Sequence, residues 1–144
     1  MNRTNAETEI VEQIMHEHDS LRDKLRHIHA VLSGPAPSEN DVEELLREFL
    51  TTLVVHFANE ENEGFFSQVT AHAPQLAEQA GKLCVEHRQM LHDANELCRF
   101  AGAGSPSMPW WRELRSRCHE FSKRLMKHEV EEQKLLHESR LADI

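Results

Sequence analysis

The stretch VEELLREFLTTLVVHFANE, residues 42–60, decides the fold. Val42, Leu46, Phe49 and Leu53 recur in steps of four and three, and the same steps continue through His56 and Glu60. Steps of this kind hold residues on one face of an α-helix, so the helix that buries the leucines also buries an imidazole and a carboxylate.

Three further stretches repeat the pattern. The first runs Ile14, His18, Leu21, Leu25, Ile28, Leu32. The third runs Leu76, Ala80, Leu83, His87, Met90, Ala94, Leu97, and the fourth Leu114, Cys118, Phe121, Leu125, His128, Glu132, Leu135. Four seams of this kind predict an all-α protein, an antiparallel up-down-up-down four-helix bundle with one interior shared by all four helices. His18, His56, Glu60, His87, His128 and Glu132 should then point into that interior.

Burial of these groups has to be compensated. An ionised carboxylate in an apolar interior costs several kcal/mol unless it is neutralised, paired or bound to a cation. No lysine or arginine falls on a seam. Four imidazoles and two carboxylates without an internal counter-charge have the composition of a dinuclear metal site.

Helix punctuation places these residues at one depth. The first helix is expected to start near Asn5 or Ala6 and to end at Ser33-Gly34, before Pro35 and Pro37, with Ser38 capping the second. The second fades after Phe66, Pro74 opens the third, which stops near Gly102, and Pro109 opens the fourth, which runs to about Glu138. At about 1.5 Å per residue, His18 and His87 lie roughly 18 to 20 Å above the starts of their helices. The His56/Glu60 and His128/Glu132 pairs lie roughly 10 to 20 Å above the ends of theirs. Both pairs are His-x-x-x-Glu, one turn apart on one face, with a single histidine on each of the other two helices.

Length and composition leave room for little else. The four segments nearly fill the 144 residues, read as one domain over 1–144. The formal charge of −9 opposes a general attraction to nucleic acid or anionic membrane. No apolar run approaches a membrane span and MNRTNAETEI carries no hydrophobic signal block, so a cytoplasmic location is expected. Cys84, Cys98 and Cys118 form no C-x-x-C pair and are expected to pack, with a reactive thiol as the alternative for Cys84, one turn before His87, and for Cys118, on a seam.

At these residues the chain resembles the hemerythrin-like, or HHE, cation-binding domains. The resemblance is carried by His18-Asp19 with Leu21, by His56-Phe57 with Glu60-Glu61, by Glu86-His87-Arg88, and by His128-Glu129 with Glu132. It implies a four-helix bundle around a non-haem di-iron centre, with His18, His56, His87 and His128 as terminal ligands and Glu60 and Glu132 as bridges. Oxygen carriers of that family add a fifth histidine four residues from the third-helix ligand and end the last motif in aspartate. Here those places hold Leu83, Leu91 and Glu132, and His92 faces about 140° from His87. This ligand set resembles the branch linked to nitric oxide stress, iron handling and peroxide chemistry.

Nitrogen and oxygen donors without thiolate favour two iron ions over zinc, with manganese also compatible. Six side chains leave coordination positions for a diatomic molecule, a peroxide or an oxo bridge. The leading functional expectation is a di-iron protein that binds or reacts with a small oxidant, oxygen, nitric oxide or hydrogen peroxide, in stress defence or sensing. Iron storage or delivery to a partner, and a metal-free interaction bundle, are the alternatives. His72, placed in a loop, and His92 are candidates for outer ligands or proton relays. Glu61, Glu63, Glu129 and Glu131 read as a solvated acidic face that could also draw cations toward the site, and Asp19 and Glu86 face elsewhere on an ideal helix, with contact behind a ligand left open. Trp110 and Trp111 should plug one end of the bundle.

Overall fold

The computed structural model describes residues 5–34, 38–62, 64–104 and 106–140. Four long helices form the frame: α1 (Asn5–Leu32), α2 (Glu39–Asn62), α4 (Ala77–Ala103) and α5 (Met108–Ser139), with a short α3 (Phe65–His72) and a 3-10 turn (Pro74–Leu76) between α2 and α4. Each long helix packs on the next, and α5 returns to α1, so the four enclose one interior. The described residues contain no strand, and no described helix is long and apolar enough to cross a membrane.

Local chemistry sets the helix ends. Ser38 accepts from the Asp41 amide at 3.5 Å, and Glu39 and Asp41 occupy the first turn of α2, where negative charge suits the dipole. Ser107 caps α5 by accepting from the Trp110 amide at 3.2 Å, with Pro109 in the first turn. Pro35, Ala36 and Pro37, expected to break the chain after α1, lie outside the described residues, as do Glu63 and the terminal residues of the expected 1–144 domain.

One boundary differs from expectation. The second helix does not continue to Phe66. It stops at Asn62, and Gly64, at a φ of 104°, redirects the chain into α3. Only glycine adopts that left-handed conformation without steric cost. The turn lets Phe65, Phe66 and Val69 fold under the bundle, where all three are buried.

Every seam residue is buried. The apolar ones form two clusters, one on each side of the histidine and glutamate layer. The larger runs from Leu21 to Leu32 on α1 and takes in Phe49, Leu53, Met90, Leu97, Leu114 and Leu125. The smaller gathers Val11, Ile14, Phe65, Val69, Leu83 and Leu135. Burying such side chains fully contributes about 1.5–3 kcal/mol each. Trp110 closes the larger cluster, stacked on Phe100 at 5.9 Å with Trp111 beside it. Cys98 and Cys118 pack within that cluster and Cys84 lies against the smaller one. Burial raises all three thiols, Cys118 to about 12, so packing and not thiolate chemistry describes them.

Candidate metal centre

Between the two clusters, the six predicted residues converge in one layer, each 1% exposed or less. Their donor atoms form two groups, His18, His56, Glu60 and Glu132 in one, and Glu60, His87, His128 and Glu132 in the other, with the atoms of each group within 4.8 Å of one another. Both groups share the same two glutamates. The imidazoles divide in pairs, α1 with α2 and α4 with α5.

Spacing across the layer fits a shared cation better than mutual hydrogen bonding. His18 Nε2 lies 3.2 Å from Glu132 Oε1, His87 Nε2 3.1 Å from Glu60 Oε1, and His56 and His128 Nε2 each 3.4 Å from the glutamate one turn on. Donors bound about 2.1 Å from one metal stand about 3.0 Å apart when adjacent. All four Nε2 atoms and all four carboxylate oxygens are buried without a hydrogen-bond partner. Such a concentration of orphaned polar atoms costs far more than a folded domain tolerates unless something binds them.

The electrostatics carry the same strain. Burial, and then the charge of Glu132, push Glu60 well above the ordinary carboxylate range. Burial also opposes the charge on Glu132, but Glu60 and the imidazoles of His128, His18 and His87 hold it well below that range. Two carboxylates this close therefore share a proton in the absence of a cation. Burial lowers His56 against the pull of Glu17, while His128 overcomes burial through Glu132 and Glu86 and is raised.

Three of the imidazoles are fixed from behind by carboxylates, a contact the sequence left open for Glu86 and read differently for Glu61. Glu17 meets His56 Nδ1 at 2.7 Å and is itself held by the Asn59 amide at 2.6 Å. Glu61 meets His87 Nδ1 at 2.7 Å, and Glu86 meets His128 Nδ1 at 2.9 Å. Glu61 and Glu86 do face away from their neighbours in sequence, but they reach the imidazole of the next helix. Sequence reading missed Glu17 altogether; its only signal is its place beside His18. Glu129 is also no part of a solvated face, being 5% exposed. Asp19 and Glu131 are at the surface, beside Arg22 and Lys134. A carboxylate behind a histidine fixes its tautomer and strengthens it as a ligand.

The remaining candidates fall elsewhere. His72 ends α3 instead of lying in a loop, and both it and His92 are exposed and outside the converging donors. Leu83 is buried and Leu91 half-buried at the positions where a fifth imidazole would stand. Phe57 stacks on His87 with ring centroids 3.8 Å apart and planes within 7°, and Phe66 lies 5.6 Å from the same ring. One edge of the centre is therefore apolar and tightly packed.

The model of the hemerythrin HHE cation binding domain family matches residues 1–65, which hold His18, His56 and Glu60. Neither a curated protein nor a solved structure matches the chain. The match and the two donor groups together describe a metal-binding helical protein; His87, His128 and Glu132, on α4 and α5, lie outside the matched residues and share donor groups with those inside.

Proposed function

We propose that the chain holds two non-haem iron ions, with manganese compatible, and uses them to bind or react with a small oxidant: oxygen, nitric oxide or hydrogen peroxide. The observation that carries this reading is the convergence of eight buried, unpartnered donor atoms into two groups that share both glutamates. His18 and His56 would hold one ion, His87 and His128 the other, and Glu60 and Glu132 would bridge them.

Bound iron supplies redox chemistry and open coordination positions. The chain's own residues govern who reaches them. Four protein donors per ion leave an octahedral metal unsaturated, and the layer admits nothing larger than a few atoms because every ligand is buried. Leu83 and Leu91 supply no fifth imidazole, which favours reaction with the oxidant over its reversible carriage. Glu17, Glu61 and Glu86 keep the imidazoles aimed inward, so the donors are preorganised before metal arrives. A metal-free interaction bundle would gain nothing from this arrangement and would bear its full cost.

The test is anaerobic loading with ferrous iron, a count of iron per chain, and admission of air while the visible spectrum is recorded. Two irons that oxidise at once to a stable ferric form support the reading, and peroxide and nitric oxide then follow as reactants. Failure to bind two ions would sink it, and a persistent band that reverses when oxygen is removed would establish oxygen carriage instead.

A further inference from the structure

The carboxylates behind the imidazoles follow a rule. Glu17 on α1 serves His56 on α2, Glu61 on α2 serves His87 on α4, and Glu86 on α4 serves His128 on α5. Each stands beside a converging residue in sequence and reaches the next helix around the bundle. On the two ascending helices it precedes that residue, as Glu17 precedes His18 and Glu86 precedes His87; on descending α2 it follows, as Glu61 follows Glu60. The alternation is geometric. One residue turns an α-helix by about 100°, and reversing the helix reverses the sense of that turn seen down the bundle. A step back on an ascending helix and a step forward on a descending one therefore point the same way round the ring.

The rule requires a fourth member on descending α5, one residue after a converging residue, aimed at His18 on α1. Glu129, directly after His128, stands there. It is 5% exposed, its Oε2 lies 3.6 Å from Arg22 Nε on α1, and its Oε1 has no partner. His18 is the one converging imidazole whose Nδ1 is also buried without a partner. The rungs between α1 and α5 bracket the two without a direct contact: His18 meets Glu132 at 3.2 Å, and one turn along both helices Arg22 meets Glu129. Gln133, one residue after Glu132, is the other position the rule allows, but its amide is bonded to Met15 Sδ at 3.3 Å.

We infer that Glu129 is the fourth outer carboxylate, accepting from His18 Nδ1–H through one water and positioning His18 Nε2 toward the centre. This inference rests on the dinuclear reading for its effect on metal, but not for the contact itself. Glu129 is a positioning residue; its oxygens are not among the converging donors. Arg22 anchors one oxygen and leaves the other for His18.

The experiment compares Glu129→Gln, Glu129→Leu and Gln133→Leu with the parent protein by two measurements. In metal-free protein, nitrogen-15 NMR of the imidazoles should show an Nδ1-protonated His18 that Glu129→Leu converts to a tautomer mixture and Glu129→Gln, which keeps an acceptor, preserves. In a cobalt(II) titration, Glu129→Leu should weaken one of two equivalents by about 10- to 100-fold, leave the other unchanged, and be largely rescued in Glu129→Gln. Gln133→Leu should behave as the parent in both. An unchanged His18 tautomer in Glu129→Leu, or equal weakening of both equivalents, would overturn the inference. If the parent takes up fewer than two ions, the dinuclear reading fails while the imidazole spectrum still decides the contact.

Discussion

Replacing Glu60 by glutamine should stabilise the metal-free protein and destabilise the metal-loaded one relative to the parent. Glu60 is fully buried, and burial and the charge of Glu132 hold its pKa well above the ordinary carboxylate range. The folded form therefore retains a proton that the unfolded chain gives up. At pH 7, retaining it against an unfolded value of 4.5 costs up to about 3 kcal/mol, at about 1.4 kcal/mol per pH unit. For a chain of 144 residues the unfolding entropy near the midpoint is about 0.3 kcal/mol/K, so removing that cost raises the melting temperature by up to about 10 °C. The sign fixes the pH dependence. A raised folded pKa contributes stability below about 4.5 that is lost as pH rises, so the advantage of Glu60→Gln should shrink below about 1 kcal/mol at pH 5. With metal the order reverses, because each ion at 100 times its Kd adds about 2.7 kcal/mol to a form that binds it, and a carboxamide cannot bridge as a carboxylate does. The assay is thermal unfolding by circular dichroism at pH 5 and 7, with chelator and with manganese(II). A metal-free Glu60→Gln protein that melts at or below the parent at pH 7 would refute the reasoning.

Glu17→Leu, Glu61→Leu and Glu86→Leu, which remove the acceptor behind the imidazole, should each reduce metal affinity by about 10- to 100-fold, read by competition with a chromophoric chelator; parent-like affinity in all three would remove any role of the outer carboxylates in holding metal. Gly104→Ala would place a Cβ 1.8 Å from the Trp110 indole nitrogen, and that ring is held by Phe100, so overpacking should cost about 1–3 kcal/mol and lower the melting temperature by about 3–10 °C. His29, half-buried with its Nε2 2.8 Å from Ser122 Oγ, has its pKa lowered by burial and by His119. A lowered folded pKa makes its contribution complete above about pH 6.5 and progressively lost as pH falls, so His29→Gln should lose less melting temperature than the parent between pH 7 and 5.5.

The six converging residues were legible because burial writes itself into spacing: a histidine that continues a leucine seam through Leu53 has nowhere else to point. The depth estimate worked for the same reason, since helix rise is nearly invariant. Helix α3 was not legible, because Phe65 and Phe66 read equally well as the last turn of α2 and the single glycine between them and Asn62 carries the whole redirection. The outer carboxylates were hidden for a different reason. Within one helix, Glu86 points about 100° from His87 and looks solvated. Its partner is on another helix, and which helix that is depends on the order of the four around the bundle, a tertiary fact that no local pattern contains.

That order also explains how so costly a layer can be carried by a small fold. Each converging residue is a seam residue flanked one turn away by apolar neighbours, as His56 is by Leu53, and His87 by Leu83 and Met90. The positions of the donors are thus set by the same packing that stabilises the two apolar clusters, and Phe57 against the face of His87 fixes even a ring plane. A donor on a loop could turn away to find water and relieve its unpaired atoms; these cannot, because doing so would unpack the seam. The bundle holds its polar atoms in an arrangement they would not choose among themselves, and that constraint suits the layer to a cation able to accept several imidazole and carboxylate donors at once.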